Sequence, residues 1–193
     1  MKNAIIIHGI DDSREDVLSY KDSMSNAHWL PWLQRELIKN DILTQTPEMP
    51  TPWHPDMDYN EWERVFEQFE ITTDTLLIGH SCGAGFLMKY LSKHLHKKIG
   101  RLILVAPWMD IEQEHPTFFA DFELGPDLVN SAKQIDQLYS TDDDQSILDT
   151  VNQIKQIYGD KINTYEFSDK RHFTEGHLKS NQFPELLEII LKK

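Results

Sequence analysis

A serine lies at the centre of the pentapeptide GHSCG, residues 79–83, between two segments of different periodicity. Residues 75–78 form a short apolar run typical of a buried parallel strand. Residues 84–91 repeat apolar side chains at three- and four-residue spacing, which favours a helix. Flanking glycines relieve the crowding of so tight a strand-to-helix turn, and the turn exposes the serine hydroxyl at the sheet edge. Ser81 is therefore the candidate nucleophile of an acyl transfer, and the N–H of Cys82 is the first candidate donor to the oxyanion.

A serine hydroxyl needs a base that removes its proton and an acid that orients that base. Among nine histidines, His172 is the candidate base because it follows the last predicted strand, in the chain order serine, acid, histidine. His177 lies in the same loop but farther from the strand end. His80 is inside the turn, where we expect its ring to point away from Ser81, and His8 ends the first predicted strand.

Three adjacent aspartates, residues 142–144, follow the strand predicted over residues 133–140 and supply the candidate acid. Such a run is also typical of a solvated turn that caps the next helix, so the residue types alone leave open which carboxylate orients the histidine. The second oxyanion donor is expected in the turn after the first strand, residues 8–10, where the Ile10 N–H is our choice.

Two tryptophans in predicted loops, Trp53 and Trp108, are expected to form walls of a substrate pocket together with His8 and Gly9. The Cys82 thiol has no activating cation near it in sequence, which favours a packed, unreactive side chain. No H-E-x-x-H, C-x-x-C or calcium-loop motif occurs. We therefore expect neither a metal nor another cofactor.

Alternating strands and helices must position these residues. The predicted strands cover residues 5–7, 42–49, 75–78, 101–106, 133–140 and 162–167; the predicted helices cover 28–38, 84–91, 146–158 and 184–191, with one more beginning after Asp58 or Asn60. This order predicts one α/β domain over residues 1–193, a three-layer sandwich whose mostly parallel central sheet carries helices on both faces. Residues 107–126 have no clean period and are expected to form a minimal cap, and residues 11–26 a mobile polar loop.

The chain has 19 Lys and Arg against 32 Asp and Glu, a net charge of −13. That field disfavours nucleic acids and anionic membranes as partners. Apolar runs are too short to cross a bilayer. One cysteine and no recognisable export signal lead us to expect a cytoplasmic protein.

Motifs along nearly the whole chain resemble the α/β-hydrolase superfamily, in particular the small, cap-poor serine hydrolases of the retinoblastoma-binding protein 9 and YdeN type. They are IIIHG, HWLPWLQREL, MPTPWHP, GHSCGAGFLMKYL, LILVAPW, STDDDQSI and RHF. The resemblance implies a Ser-His-Asp hydrolase with Ser81 as nucleophile and His172 as base. Its Asp-Asp-x-x-aliphatic pattern selects Asp144 as the leading candidate acid, whereas alignment on the preceding Ser-Thr pair selects Asp143 as the alternative.

Two features depart from this pattern: the loop after Gly9 is longer, and Arg171 stands where a glycine usually precedes the histidine. The expected function is hydrolysis of small esters or amides through an acyl-enzyme. The alternative is a protein-binding module that retains the fold without the chemistry. An aminopeptidase or amidase is a third hypothesis, because the acidic field would attract cationic substrates.

Overall fold

Six parallel strands build one sheet in the part of the chain that the structure, a computed structural model, describes, namely residues 3–19, 23–113, 116–120 and 122–192. The strands are β1 (Asn3–Ile7), β2 (Leu43–Gln45), β3 (Leu76–His80), β4 (Ile99–Val105), β5 (Ala132–Ser140) and β6 (Asn163–Phe167). Their order across the sheet is β2-β1-β3-β4-β5-β6. All carboxyl ends therefore meet at one edge, where ligand sites of such sheets form.

Helices cover both faces of this sheet. They are α1 (Arg14–Ser19), α2 (Leu30–Lys39), α3 (Tyr59–Phe66), α4 (Cys82–Lys93), α5 (Pro116–Phe119), α6 (Gln145–Tyr158), α7 (Glu175–Leu178) and α8 (Pro184–Leu191). Successive strand residues point to opposite faces, so Ile5 and Ile7 pack in a core with α3 and α4, whereas Ile6 packs in a second core with α2 and α8. The predicted three-layer α/β architecture is confirmed.

The segment predicted as a polar loop, residues 11–26, is partly helical. It contains α1, where the Ser13 hydroxyl accepts a bond from the Asp16 N–H at 3.1 Å, and a 3₁₀ turn at Met24–Asn26. Glu48 accepts bonds from two N–H groups of that turn at 3.1 and 2.7 Å. Helix α1 buries none of its side chains. Because no face of it packs on a core, its sequence needs no apolar period, and none was there to predict it.

Residues 42–49 were predicted to be extended throughout, but only Leu43–Gln45 pairs as a strand. The cap segment contains α5, and Lys89 of α4 holds it by donating to the Phe118 and Ala120 carbonyls at 2.8 and 3.0 Å. Asp58 caps α3, as expected, by accepting bonds from the Asn60 and Glu61 N–H groups. None of the described helices combines the length and apolar character that a bilayer crossing requires.

Candidate active site

Ser81 occupies the turn between β3 and α4 with φ 55° and ψ −123°, a conformation that non-glycine residues rarely adopt. The flanking glycines explain how the chain makes this turn. A Cβ atom on Gly83 would lie 2.4 Å from the His8 carbonyl oxygen, and one on Gly79 would lie 2.5 Å from the Ala84 backbone. Close packing of α4 on the strand ends thus imposes the strained backbone conformation of Ser81.

The turn after β1 lies against this serine. A Cβ atom on Gly9 would lie 3.1 Å from Ser81 Cβ. The buried His8 ring donates through Nδ1 to the Gly9 carbonyl at 2.6 Å and accepts the Met49 N–H through Nε2 at 2.8 Å. Burial lowers the pKa of His8, which keeps this ring neutral. The Gly9 carbonyl and the Ile10 N–H belong to the same peptide group. Since the C=O and N–H of a trans peptide point in opposite directions, the Ile10 N–H points away from the His8 ring.

His172, in the loop after β6, contacts a carboxylate through Nδ1. The partner is Asp143, whose two oxygens lie 3.2 and 3.1 Å from that nitrogen and whose side chain is 1 % exposed. The family pattern favoured Asp144, but Asp144 is the exposed N-cap residue of α6 and its side chain lines the cleft instead. The Asp144 N–H donates to Asp143 at 2.8 Å, which helps to fix the contacting carboxylate.

The third aspartate ties the acid turn to the histidine loop. Asp142 accepts the Arg171 N–H at 3.0 Å and the Ser140 hydroxyl at 2.5 Å. The Ser140 hydroxyl bond is the main reason that the pKa of Asp142 is lowered, with the Arg171 N–H contributing. Ser140 also accepts the Lys170 N–H at 3.1 Å. The two loops therefore form one hydrogen-bonded unit at the sheet edge.

Ser81 and His172 line a common cleft of about 340 Å³. Trp108, one of the two tryptophans expected in the pocket, forms part of its wall. Trp53, the other, does not line this cleft, and its indole N–H donates to Asp56 at 3.2 Å. The neighbouring His54 takes the expected place of Trp53, and its ring lies 5.8 Å from that of Trp108. A larger cavity of about 520 Å³ lies against the cap, residues 109–124, and does not reach the serine.

A second cavity of about 290 Å³ also reaches Ser81 and His172. Its wall includes the predicted His8 and Gly9, and it shares Ile10 and Asp11 with the first cleft. Ser81 thus lines two hollows.

Carboxylates form much of the first cleft: Asp11, Asp12, Asp110, Glu112, Asp144 and Asp149. Of these, only Asp144 was assigned to the site from sequence, as the candidate acid. The sequence signal for the first four was the acidic character of the loop after Gly9 and of the cap segment, and Asp149 had none. In the described part of the chain, no three His, Cys, Asp or Glu side chains cluster as metal ligands would.

Cys82 begins α4, and the N–H of a first helical residue has no acceptor within its own helix. Its thiol is fully buried, and burial, followed by the charge of Asp110, raises the pKa of the thiol well above its ordinary value. The side chain is a packing group, as expected, while the backbone N–H remains the candidate oxyanion donor.

Comparisons with known proteins agree with this geometry. A protein-family model described as serine hydrolase matches residues 17–187. YdeN of Bacillus subtilis (strain 168), which is named as a hydrolase, is 30% identical over 108 residues. That match covers 54% of this chain and only 50%, about half, of the relative.

Solved structures show the same fold. The YdeN gene product from B. subtilis superposes with a TM-score of 0.76 at 23% identity, covering 98% of this chain and 97% of that chain. Est1E from Butyrivibrio proteoclasticus, solved with ferulic acid bound, has a TM-score of 0.65 at 15% identity, covering 100% of this chain and 87% of that one. With the family model matched over most of its length, the chain belongs to the serine hydrolase family, and it is similar to YdeN and has the α/β-hydrolase fold.

Proposed function

We propose that this hydrolase cleaves small carboxylic esters through a covalent acyl-enzyme on Ser81, with His172 as the base and Asp143 as the acid that orients it. The observation that carries the proposal is the position of Ser81. It sits in a strained strand-to-helix turn and lines the same cleft as a histidine whose Nδ1 is held by a buried carboxylate. These are the groups that an activated serine needs.

The reaction follows from these groups. His172 removes the Ser81 proton as the serine oxygen attacks the acyl carbon, and Asp143 stabilises the imidazolium that forms. The N–H groups of Cys82 and Ile10 donate to the oxyanion of the tetrahedral intermediate. His172 then protonates the leaving alcohol, the acyl-enzyme remains, and water activated by the same histidine releases the acid.

The size of the two hollows favours short acyl groups. At about 340 and 290 Å³, they are at the lower end of ligand pockets, which typically measure roughly 300–1,000 Å³. A long alkyl chain would leave much of its apolar surface in water or beside carboxylates. Amino-acid amides are the second substrate class, because the acidic cleft wall would attract their cationic α-ammonium group.

Hydrolysis of p-nitrophenyl acetate, butyrate and a long-chain ester by the wild type and by Ser81→Ala tests the proposal. We expect the acetate or butyrate to give the highest kcat/KM, and we expect turnover to fall to the uncatalysed level in Ser81→Ala. Faster turnover of the long-chain ester would contradict the size argument. A folded wild type that hydrolyses none of these esters, nor amino-acid amides, would favour the protein-binding alternative.

A further inference from the structure

Three histidines outside the proposed triad, His28, His80 and His177, are each hydrogen-bonded to a backbone group of the loop that carries His172. The His80 Nε2–H donates to the His172 carbonyl at 2.9 Å. His177 Nδ1 accepts the His172 N–H at 3.3 Å. His28 Nδ1 accepts the Glu175 N–H at 3.2 Å, at the start of α7. The backbone N–H and carbonyl of His172 are therefore both hydrogen-bonded to imidazole side chains.

The loop needs external support because its own backbone is strained. Arg171 and Phe173, on either side of His172, have φ values of 43° and 54°. A non-glycine residue in this left-handed region is disfavoured because its Cβ atom lies too close to the following carbonyl oxygen. The conformation that presents the His172 ring is therefore imposed by contacts with the rest of the protein.

Neutral imidazoles suit these contacts. A carbonyl accepts only from a nitrogen that carries a proton, so His80 must hold its proton on Nε2. An N–H donates only to a bare nitrogen, so His28 and His177 must leave Nδ1 unprotonated. His80 is fully buried, and burial lowers its pKa well below the ordinary value. Its ring centroid lies 5.0 Å from that of His172, so it packs directly against the proposed base.

We propose that His80 and His177 are positioning residues for the hydrolytic reaction: they fix the backbone of His172 so that its ring stays between Asp143 and Ser81. This inference rests on the proposed function of His172 as the base. Neither residue exchanges a proton with the substrate. Their removal should therefore lower kcat by letting the ring leave its reactive position, and KM should change little.

Paired variants separate the hydrogen bond from mere packing. His80→Phe keeps a flat ring but has no donor, whereas His80→Gln places an amide N–H near the position of Nε2. His177→Ala removes the acceptor, whereas His177→Asn places an amide oxygen near the position of Nδ1. His96→Phe is the matched control, since His96 is exposed beyond the end of α4. Circular dichroism and thermal melting establish that each variant is folded.

We expect kcat for the best small ester to fall about 10- to 100-fold in His80→Phe and His177→Ala, with KM within about twofold. We expect His80→Gln and His177→Asn to recover most of the loss and His96→Phe to match the wild type. His177 is only partly buried, so its variants keep the test decisive if a change at the buried His80 prevents folding. Folded His80→Phe and His177→Ala with kcat near that of the wild type would overturn the inference.

Nitrogen NMR of the His172 ring gives a readout that does not require turnover, because the Nδ1 shift reports the bond to Asp143. We expect that shift to move in His80→Phe and His177→Ala and to return in the two rescue variants. An unchanged shift would refute positioning even in an active enzyme. A wild type without esterase activity whose shift responds as expected would instead contradict only the proposed function.

Discussion

Neighbouring aspartates with the same side chain have different surroundings here, and this assigns them different roles. Asp143 is buried against His172 Nδ1, and Asp144 is an exposed helix cap. We predict that Asp143→Asn lowers kcat by about 10³-fold or more, because a neutral amide neither fixes the histidine tautomer nor stabilises the imidazolium. Asp144→Asn should cost at most about threefold, since the Asp144 side chain is exposed and makes no capping hydrogen bond with α6.

Steady-state kinetics of the two variants with one ester makes this comparison. The substitution is the same amide for carboxylate in both, one residue apart, so each is the other's control. A larger loss in Asp144→Asn than in Asp143→Asn would assign the acid to the position that the family pattern favoured.

The sequence alone could select a candidate catalytic residue only where the motif offers a single residue of the right type. The GHSCG turn has a unique central serine, and His172 is the nearest histidine after the last predicted strand, so Ser81 and His172 could be selected as candidates. Asp143 could not be separated from its neighbours, because the choice depends on how the turn folds back after β5. In the structure the Asp143 N–H donates to the Ser140 carbonyl and the Asp144 N–H to the Asp143 side chain, and this turn places the Asp143 carboxylate against His172.

At the scale of elements, the approach of α4 to the end of β1 is the contact that shapes the site. A Cβ atom on Gly83 would lie within 2.5 Å of the Ile7 and His8 carbonyl oxygens, which are backbone atoms that cannot move aside cheaply. We predict that Gly83→Ala lowers the free energy of unfolding by about 1–3 kcal/mol and displaces Ser81, reducing activity as well.

Gly176→Ala is the control for this prediction. Nothing lies within 4 Å of a Cβ atom at Gly176, and the residue is also helical, in α7. Urea unfolding should show it within about 0.5 kcal/mol of the wild type. Equal destabilisation by both substitutions would indicate a general cost of alanine and not a clash at the turn.

Buried strands and amphipathic helices were predictable, whereas polar or irregular elements were not. Helix α8 lies at the predicted residues, 184–191, because its apolar period faces a core. Helix α1 has no buried side chain and α7 is a single turn held by the Thr174 cap, so neither has a periodic signal. The cleft carboxylates other than Asp144 also lack a sequence pattern that would assign them to the site, because their place in the cleft depends on how the loops and α6 fold beside the serine.

At the scale of the whole molecule, a partly buried neutral histidine makes stability depend on pH. Burial, followed by repulsion from His172, lowers the pKa of His28 from 6.5 to about 4. Below pH 6.5 the unfolded chain therefore binds a proton that the folded protein excludes, and stability falls as pH falls toward 4. The slope is about 1.4 kcal/mol per pH unit for each such histidine.

Chemical unfolding between pH 7 and about 4 measures this slope for the wild type and His28→Asn. Asn tolerates the positive φ of residue 28, which is 57°, and its oxygen can accept the Glu175 N–H without titrating. We predict that His28→Asn reduces the slope of the unfolding free energy against pH by the amount that corresponds to about one proton. Parallel curves for the two proteins would contradict a neutral His28 in the fold.

The negative charge of the molecule extends into the cleft, so substrate charge should affect binding. We predict that acetylcholine has a KM at least about threefold lower than that of its uncharged carbon isostere, dimethylbutyl acetate, because six carboxylates line the cleft. Added salt should reduce the difference. Equal KM values at low salt, or a preference for an anionic ester, would show that these carboxylates do not face the bound substrate.

The central claim is that Ser81 is an activated nucleophile, and labelling with a fluorophosphonate tests it most directly. Intact-mass detection of the wild type, Ser81→Ala and His172→Ala shows whether one adduct forms and whether both groups are needed for it. We expect one adduct on the wild type, none on Ser81→Ala and strongly slowed labelling of His172→Ala. A folded wild type that stays unlabelled, or a Ser81→Ala variant that labels equally well, would contradict it.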